Sequence, residues 1–434
     1  MKKKDIVICL SLATLFMSLN AQERYKLDEL IMFSLENAPD LNIAKSQYDA
    51  SRSRSKVADA NYLPQIDLHA SAGKIGMSDL SNPNSNRLID DNLILGKLSL
   101  KQIIYDFGKT AGNSEYFEYQ SQAYKMDKVQ KVSDKIEAVK SAYYAVLKSI
   151  ALIDVHKENV KLSEVQLYRS KKYFQAGIRT IIDISDAEVS LIKASLELKK
   201  AEYNLKSAYA KLDKSVGFTA ITQEYSVYSK ELELSSLYNS LVPYALNLEE
   251  SILFAYANRA ELKKQQADIQ AAQAEVRLAS SEYYPALYVV ADYTKQKLDK
   301  LAATTPQDQW QATLNLDWNL YGGGKSDAKS QEKKIQTDIS NSQYAYTKLS
   351  IKEEITDAYI NVNRSKDSVA LAQSLVAVSS QKFDQASKRY KHGLSDYIEL
   401  QQSRQDYIDS KATLVDDYYA YYIAIAVLDN RVGR

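Results

Sequence analysis

The residues with the clearest chemical potential are charges grouped in the segment AGIRTIIDISDA, residues 176–187. Arg179, Asp183 and Asp186 fall within eight residues, and the two aspartates are three positions apart, so on a helix they share one face. Paired carboxylates attract cations and repel anions, and a guanidinium can hold them by ion pairs. The alternative is that the carboxylates only cap a helix and that the arginine is solvated. An exposed ion pair contributes only about 0–1 kcal/mol to stability, so proximity alone does not show that these charges act together.

Chemistry of other kinds finds little support in the sequence. The three histidines, His69, His156 and His392, are far apart and show no metal-ligand spacing. The run Gly322-Gly323-Gly324-Lys325 lacks the GxxxxGK[ST] pattern of a phosphate-binding loop. A net charge of +1 gives no basic excess for nucleic acid. We therefore expect no catalytic set, no metal site, no cofactor and no nucleic-acid partner; an exported enzyme would need a convergent polar pocket that the sequence does not indicate.

The N-terminus has the pattern of a secretory signal peptide. Three lysines at 2–4 precede an apolar run at 6–19 and then Asn20-Ala21-Gln22, which predicts a signal at 1–21 with cleavage after Ala21 or Gln22. The only cysteine, Cys9, lies inside it; a lipid anchor there is the alternative, which the lack of a small-residue cleavage context disfavours. No later stretch is apolar for the roughly 18 residues that a membrane helix needs. A membrane-inserted form would therefore use strands.

Glycine placement indicates long helices and an internal duplication. The distance from Gly108 to Gly177 is 69 residues, as is that from Gly324 to Gly393, and almost no glycine or proline lies between. Each stretch predicts a helix about 100 Å long. An offset of 216 aligns FQAGIRTIIDISDA (174–187) with YKHGLSDYIELQQS (390–403), and an offset of 221 aligns LDELIMFSLENAPDL (27–41) with LEESILFAYANRAEL (248–262). Repetition over such a span predicts two similar halves.

The predicted elements follow the same order in both halves. The first repeat, 22–217, is expected to contain short helices at about 27–37 and 39–61, strands at about 63–73 and 97–106, a long helix at about 108–176 and a return helix at about 181–215. A linker spans 218–246. The second repeat, 247–434, is expected to contain strands at about 286–295 and 310–321, a long helix at about 325–392 and a return helix at about 397–432. The loop DLSNPNSN (79–86) separates the first two strands.

The four strands are predicted to be two-faced. In WQATLNLDWNL (310–320) every second residue is apolar, which indicates one apolar and one polar face. Trp310 and Trp318, the chain's only tryptophans, share the apolar face, roughly 20 Å apart in depth for a tilted strand, as expected of membrane-interface anchors. A soluble sandwich is the alternative, but it needs a second sheet to cover this face. Four strands cannot close a barrel in lipid, so several copies must each contribute a sector.

Several segments resemble the TolC family of outer-membrane efflux proteins. They are YLPQ (62–65) and YYPA (283–286) before strands, YDFGKT (105–110) and YGGGKS (321–326) after strands, and the turn segment GIRTIIDISDA. The resemblance spans about residues 23–434. It implies a mainly α protein with a transmembrane β-barrel sector: a homotrimer with a twelve-stranded barrel on an α-helical periplasmic tunnel. It also implies a passive, gated export duct in the outer membrane, docked to a periplasmic adaptor protein and driven by an inner-membrane transporter.

The resemblance also implies roles at the far ends of the helical hairpins. The family's constriction motif, GxRTIxDxxDA, is usually in the second half; here its residues are Arg179, Asp183 and Asp186 of the first half. In the family two aspartate rings narrow the periplasmic gate and the arginine holds it shut. Asp396 and Glu399 occupy the matching second turn as candidate partners of Arg179. The expected adaptor contact comprises Gly177, Ile178, Gly393, Leu394 and Ser395. A periplasmic helical scaffold without a pore remains the alternative, and the cargo stays open.

Overall fold

A computed structural model describes residues 23–78, 88–218, 225–228, 236–299 and 307–434 of the protein. The predicted signal peptide (1–21) and the predicted loop at 79–86 lie outside the described residues. Within the described part the chain alternates short helices, strands and very long helices, in the same order twice.

The helices and strands are bounded as follows. The first half contains β1 (Glu23–Tyr25), α1 (Leu27–Asn37), α2 (Pro39–Asp59), β2 (Gln65–Ser78), β3 (Leu88–Tyr105), α3 (Lys109–Gln175) and α4 (Ile181–Val216). The segment between the halves contains β4 (Tyr225–Val227). The second half contains α5 (Leu248–Asn258), α6 (Ala260–Ser280), β5 (Ala286–Leu298), β6 (Asp308–Asp317), α7 (Lys325–Lys391) and α8 (Tyr397–Val432).

The helices of the two halves match in length, which confirms the duplicated fold. Helices α1 and α5 both have 11 residues, and α2 and α6 both have 21. Helices α3 and α7 both have 67 residues, about 100 Å each at 1.5 Å per residue, and α4 and α8 both have 36. Each half is thus an antiparallel hairpin of one long helix against shorter ones, with a β-hairpin at one end.

Glycines set the ends of these helices. Gly217 follows α4 and Gly433 follows α8, both in the left-handed conformation (φ 89° and 84°) that glycine adopts at helix C-termini without steric cost. At Gly217 a Cβ would also lie 2.9 Å from the Cα of Ala38, so a larger residue would push α2 away. The equivalent positions in the two halves therefore carry the same residue for the same backbone reason.

The four long strands form one antiparallel sheet in the order β2-β3-β5-β6. Its register aligns apolar residues across all four strands. Leu68 pairs with Leu98, Leu98 with Tyr293, and Tyr293 with Trp310. Neighbouring residues in a strand point to opposite faces, so this row and the rows two residues away build one continuous apolar face, as the alternation predicted.

The strand bounds differ from those expected. Strand β2 continues to Ser78 and β3 begins at Leu88, because the two remain paired along the whole hairpin. Strand β6 ends at Asp317 rather than near Tyr321. Asp317 pairs with Ala286, the first residue of β5, and no strand lies beyond it to pair with Trp318.

The segment linking the halves contains structure that the sequence did not indicate. Strands β1 and β4 pair in parallel, Glu23 with Tyr225 and Tyr25 with Val227. The side chains of β4 pack into the core formed by α1, α3 and α4, while Leu237 packs into the core of the second half. The described residues of the predicted linker at 218–246 are thus divided between the two hydrophobic cores.

The two halves are joined by side chains of α3 and α8. Val155 of α3 packs in one buried cluster with Ile408, Val415 and Tyr419 of α8. Gly112 allows α3 to cross α6 closely, since an added Cβ would lie 2.9 Å from the backbone nitrogen of Leu278. None of the described helices is long and apolar enough to cross a membrane.

Candidate functional site

The sequence-predicted charges lie in two turns that close the helical hairpins and in the helix starts that follow them. These two segments, residues 176–186 and 392–399, are here called the tip. Both turns have the same backbone bonds: the amide of Ile178 donates to the Tyr173 carbonyl, and that of Leu394 to the Arg389 carbonyl, each over 2.9 Å. Gly177 and Gly393 precede them with φ of 70° and 74°. This six-to-one bond after a left-handed glycine is the Schellman ending of a helix, so the duplicated sequence builds the same turn twice.

Arg179 connects the two turns within one chain. Its Nη2 donates to the Ser395 carbonyl over 2.9 Å, and its guanidinium lies 4.7 Å from the centre of the Tyr390 ring. Among the described residues, no carboxylate lies within ion-pair distance of Arg179. Ser395 occupies the position in the second turn that corresponds to Arg179 in the first. Arg179 therefore binds the backbone of Ser395, the residue at the equivalent position of the second repeat.

The suggested pairing of Arg179 with Asp396 or Glu399 is consequently wrong within one chain. Asp396 instead caps α8, its Oδ1 accepting from the Glu399 amide over 2.9 Å, and the Glu399 carboxylate lies 3.6 Å from Arg389 Nε. The helix N-terminus is a favourable place for both acids. Asp396 and Glu399 therefore stabilise the start of α8. Neither side chain pairs with Arg179, which instead binds the Ser395 carbonyl.

Asp183 and Asp186 lie in the first two turns of α4, half-exposed, and form no ion pair with any described residue. Behind them the Tyr397 hydroxyl donates to Ser190 Oγ over 3.1 Å, and lies 3.5 Å from the Asp186 carbonyl. Burial raises the pKa of Tyr390 and of Tyr397, and the Asp183 carboxylate raises both further. The phenols therefore stay neutral, and the negative charge of this surface comes from the two carboxylates.

The expected adaptor residues lie on the same surface. Gly177, Ile178, Gly393 and Leu394 are exposed, whereas Ser395 is half-buried and its carbonyl is occupied by Arg179. Three further exposed apolar side chains stand beside them and were not identified from the sequence: Ile181, Ile182 and Ile398. Apolar residues next to acidic ones in the first turn of a helix are unusual, and this pattern in the sequence could have revealed them.

At the opposite end, the apolar face of the sheet is uncovered within the described part of the chain. Trp310 is 78% exposed and Trp318 is 53% exposed, and the Trp318 indole donates to the Tyr283 carbonyl over 3.1 Å. The exposed apolar residues of this face are Ile66, Leu68, Ile94, Leu98, Tyr293, Trp310, Leu314 and Leu316. A contiguous apolar face of this kind needs a partner or lipid to cover it.

The apolar face has a distinct boundary at each end. Beyond Trp310, towards the hairpin loops, Lys295 and Asp308 form an ion pair of 3.5 Å. At the helix end, Phe107 stacks on Tyr284 with ring centres 5.0 Å apart, next to Tyr105. Aromatic rings with a polar tip are favoured where lipid meets water. Sequence reasoning named only the tryptophans and missed this aromatic cluster at the strand–helix junctions.

The other face of the sheet is polar. Asp292, in the middle of β5, lies 3.2 Å from Lys97 Nζ and accepts from Gln311 Nε2 over 2.8 Å, so its Oδ2 links side chains of three strands. His69 pairs with Lys97 in the ladder and therefore belongs to the same face. Within the described residues no three of His, Cys, Asp or Glu are placed to hold a metal ion. One sheet thus has an apolar side and a side suited to water.

Comparison with known proteins agrees with this geometry. A family model described as outer membrane efflux protein matches residues 30–218 and 254–434. The chain is 20% identical over 396 residues to the probable efflux pump outer membrane protein TtgC of Pseudomonas putida, covering 90% of this chain and 79% of that protein. It is 26% identical over 179 residues to the alkaline protease secretion protein AprF of Pseudomonas aeruginosa, covering 41% of this chain and 36% of that protein.

Solved structures show the same fold. A crystal structure of CusC matches with a TM-score of 0.81 at 16% identity, over 95% of this chain and 93% of that one. The family match extends over well more than half of the sequence and includes both repeats, as the motifs predicted. The protein therefore belongs to the outer membrane efflux protein family, whose members are outer-membrane channels rather than enzymes.

Proposed function

We propose that the protein is the outer-membrane channel-tunnel of a tripartite export system, a passive gated duct driven by an inner-membrane transporter. One observation carries the proposal: a sheet with an uncovered apolar face and a polar opposite face stands at one end of helices about 100 Å long. Lipid covers the apolar face and water fills the space along the polar one. The helices carry the conduit across the periplasm.

The arrangement of the strands supports a homotrimer. The four long strands alternate in direction, so the edge strands β2 and β6 run oppositely. Strand β6 of one copy can therefore pair with β2 of the next and continue the antiparallel order. Open edges in lipid cost several kcal/mol for each unpaired backbone group, and closed bacterial barrels have about eight strands or more. Three copies supply twelve strands, the number that the family resemblance implies.

The tip is proposed as the periplasmic gate. In a trimer Asp183 and Asp186 each become a ring of three carboxylates at the narrow end, which attracts cations and disfavours anions. Arg179 keeps the two turns of each chain together through the Ser395 carbonyl. Asp396 and Glu399, on the facing turn, add negative charge to the same opening.

The periplasmic adaptor is proposed to bind the same end from outside. Ile178 and Leu394 are exposed apolar side chains at equivalent positions of the two turns, so three copies offer six similar contact points. Exposed apolar groups with a polar rim are typical of protein interfaces. The relatives include an efflux pump component and a protease secretion protein. Small molecules, as in efflux, and secreted proteins are thus both candidate cargoes.

Fractionation and conductance measurements test the proposal. The protein should remain in the outer-membrane pellet and form channels in planar bilayers. Replacing Asp183 and Asp186 by Ala should raise single-channel conductance, whereas Glu188→Ala, an exposed acid of the same helix paired with Lys171, should not. A protein recovered from soluble periplasm would instead be a helical scaffold. Unchanged conductance in the double variant would remove the two aspartates from the gate.

A further inference from the structure

Helix α7 carries an exposed apolar stripe on the side turned away from its own hairpin. All of its residues are described, and its eight exposed large apolar side chains fall within a sector of about 80° on a helix of 3.6 residues per turn. This α7 stripe consists of Ile335, Ile339, Tyr346, Leu349, Ile360, Leu371, Leu375 and Val378. Buried residues such as Ile355 and Val362 lie on the opposite side, where α6 and α8 pack.

Helix α4 carries a second exposed stripe, which begins after its first two turns. Four apolar side chains there fall within a sector of about 60°. This α4 stripe consists of Val189, Ile192, Leu196 and Tyr203. The buried residues Ala194 and Ala201 lie on the opposite side of α4, whose main packing partner is α3.

The repeat equivalent of α4 has no such stripe. Helix α8 is also fully described and also has 36 residues, yet Ile398 is its only exposed large apolar side chain. Within the chain α8 packs between α3 and α7, whereas α4 packs mainly against α3. Apolar exposure therefore belongs to the helices that have a free side, and α4 and α7 are at opposite ends of the row α4-α3-α8-α7.

The two stripes lie at the same distance from the tip. Phe383 of α7 stacks on Tyr407 of α8 with ring centres 5.7 Å apart. The offset of 216 relates Tyr407 to Leu191 of α4, so Leu191 and Phe383 are level, that is, equally far from the tip. Because α4 and α7 run in opposite directions, Leu196 is then level with Val378.

The same register brings opposite charges together beside the stripes. Tyr203 comes level with Leu371, and Lys206 comes within about one residue of the level of Asp367. Lys206 and Asp367 are both exposed, and no ion pair of either is found within the described residues. The Lys206 ammonium lies 5.5 Å from the centre of the Tyr203 ring, so it extends towards the α4 stripe. Opposite charges beside an apolar seam select one register of two helices.

The part of the α7 stripe nearer the sheet lies level with α2. Gln265 of α6 donates to Thr347 Oγ1 over 2.7 Å, and the offset of 221 relates Gln265 to Ala44 of α2. Ile43, which is 59% exposed, is therefore level with Tyr346 within about two residues. Helices α4 and α2 both pack on α3, so together they match the α7 stripe over its length.

The edge strands of the sheet determine which copy meets which helix. Strand β6 leads into α7, and strand β2 follows α2. When β6 of one copy pairs with β2 of the next, as in the proposed trimer, α7 of the first copy enters the assembly beside α2 and α4 of the second. A second copy of this chain is thus the partner that the strand order, the levels and the charges all fit.

We propose that the α7 stripe of one copy packs against the α4 stripe and Ile43 of the next copy, with Lys206 and Asp367 paired across this seam. The inference rests on the proposed function, because it takes the neighbour to be a second copy in a ring. The contact is head-to-tail, so it closes once the rotation is complete. The seam seals the wall of the tunnel between copies below the barrel.

Engineered cysteines test the seam directly. Cys9, in the predicted signal peptide, is the only cysteine of the sequence, so introduced thiols have no competitor in the mature chain. Leu196→Cys and Val378→Cys combined in one chain should give covalent trimers when outer membranes are oxidised, and each single variant should stay uncross-linked. A disulfide needs Cα atoms within about 7 Å. Within one chain α3 and α8 separate the two thiols.

The matched control combines Leu196→Cys with Leu349→Cys. Leu349 belongs to the same stripe and is similarly exposed, but it lies about 40 Å further along α7 than Val378. This pair should not cross-link. Equal cross-linking in both pairs, covalent dimers of Leu196→Cys alone, or a cross-link only to a different protein would each overturn the proposal.

Charge reversal tests the register. Lys206→Glu and Asp367→Lys should each lower the temperature at which the trimer in detergent dissociates, and the double variant should recover most of the loss. A double variant no more stable than the singles would refute the pairing. The mass of the detergent-solubilised protein separates the two levels of inference. Three copies without the cysteine cross-link would overturn the seam and leave the proposed duct, whereas a single copy would overturn both.

Discussion

Arg179→Ala should loosen the connection between the two turns of the tip. The substitution removes the 2.9 Å hydrogen bond to the Ser395 carbonyl and the contact with the Tyr390 ring. A hydrogen bond from a charged donor contributes about 1.5–3 kcal/mol, and a cation–π contact at a partly exposed site about 0.5–1 kcal/mol. Because Arg179 is partly exposed, we take the lower values and expect a loss of about 2 kcal/mol. That is roughly a 30-fold rise in local opening of the turns.

Hydrogen exchange measures this opening directly. The amides of Ile178 and Leu394 are bonded within the two turns, so peptides that contain them report on the tip. Exchange in both peptides should accelerate by about 30-fold in Arg179→Ala, and less in Arg179→Lys, which keeps the charge but loses the planar fork. Peptides from α5 should not change.

Arg389→Ala provides the matched control. Arg389 is exposed and approaches the same turn only weakly, 3.4 Å from the Leu394 carbonyl and 3.6 Å from Glu399. Its removal should change exchange several-fold less than removal of Arg179. If Arg179→Ala left exchange at wild-type rates, or if Arg389→Ala had the larger effect, the hydrogen bond across the turns would not be what holds them together.

Three other substitutions test separate parts of the structure. Gly112→Ala should destabilise the protein by about 1 kcal/mol. Overpacking against backbone costs about 1–3 kcal/mol, and the higher helix propensity of alanine offsets about 1 kcal/mol of that cost. Its control is Gly96→Ala, which has open space around it and should change the unfolding temperature little. Trp310→Phe and Trp318→Phe each leave a single tryptophan, whose fluorescence should be quenched by brominated lipids; a tryptophan that resists quenching does not contact lipid. Tyr397→Phe should lower stability by about 1 kcal/mol in chemical denaturation, and an unchanged midpoint would show that its hydroxyl bond is matched by water.

Much of the fold was predictable because its signals are local and periodic. The equal spacing of glycines predicted both long helices within one or two residues of their observed ends. Gly108 and Gly324 lie directly before these helices and Gly177 and Gly393 lie in the turns after them, all four in the left-handed conformation that a right-handed helix interior does not allow. Alternation of apolar residues identified the strand at Trp310 and its exposed face. These patterns depend on neighbouring residues only, and a single sequence contains them.

Features that depend on distant residues were missed. The pairing of β1 with β4 joins segments about 200 residues apart, and three residues are too few to show a period. The partner of Arg179 is the backbone carbonyl of Ser395. Every residue has such a carbonyl, so the sequence does not identify it, and the nearby carboxylates were the more probable partners. The buried state of Arg404 depends on helices from both halves, and nothing in its own neighbourhood distinguishes it from an exposed arginine.

The described parts of the segment between the repeats, residues 225–228 and 236–246, have a consequence for what each half could do alone. Tyr225 and Val227 complete the core of the first half, and Leu237 with Tyr244 completes that of the second, although a single stretch of chain supplies both. Cutting the gene at the repeat boundary would therefore leave at least one fragment with a gap in its interior. A single repeat expressed by itself would therefore need an equivalent segment to complete its core, either at its own terminus or supplied by a second molecule.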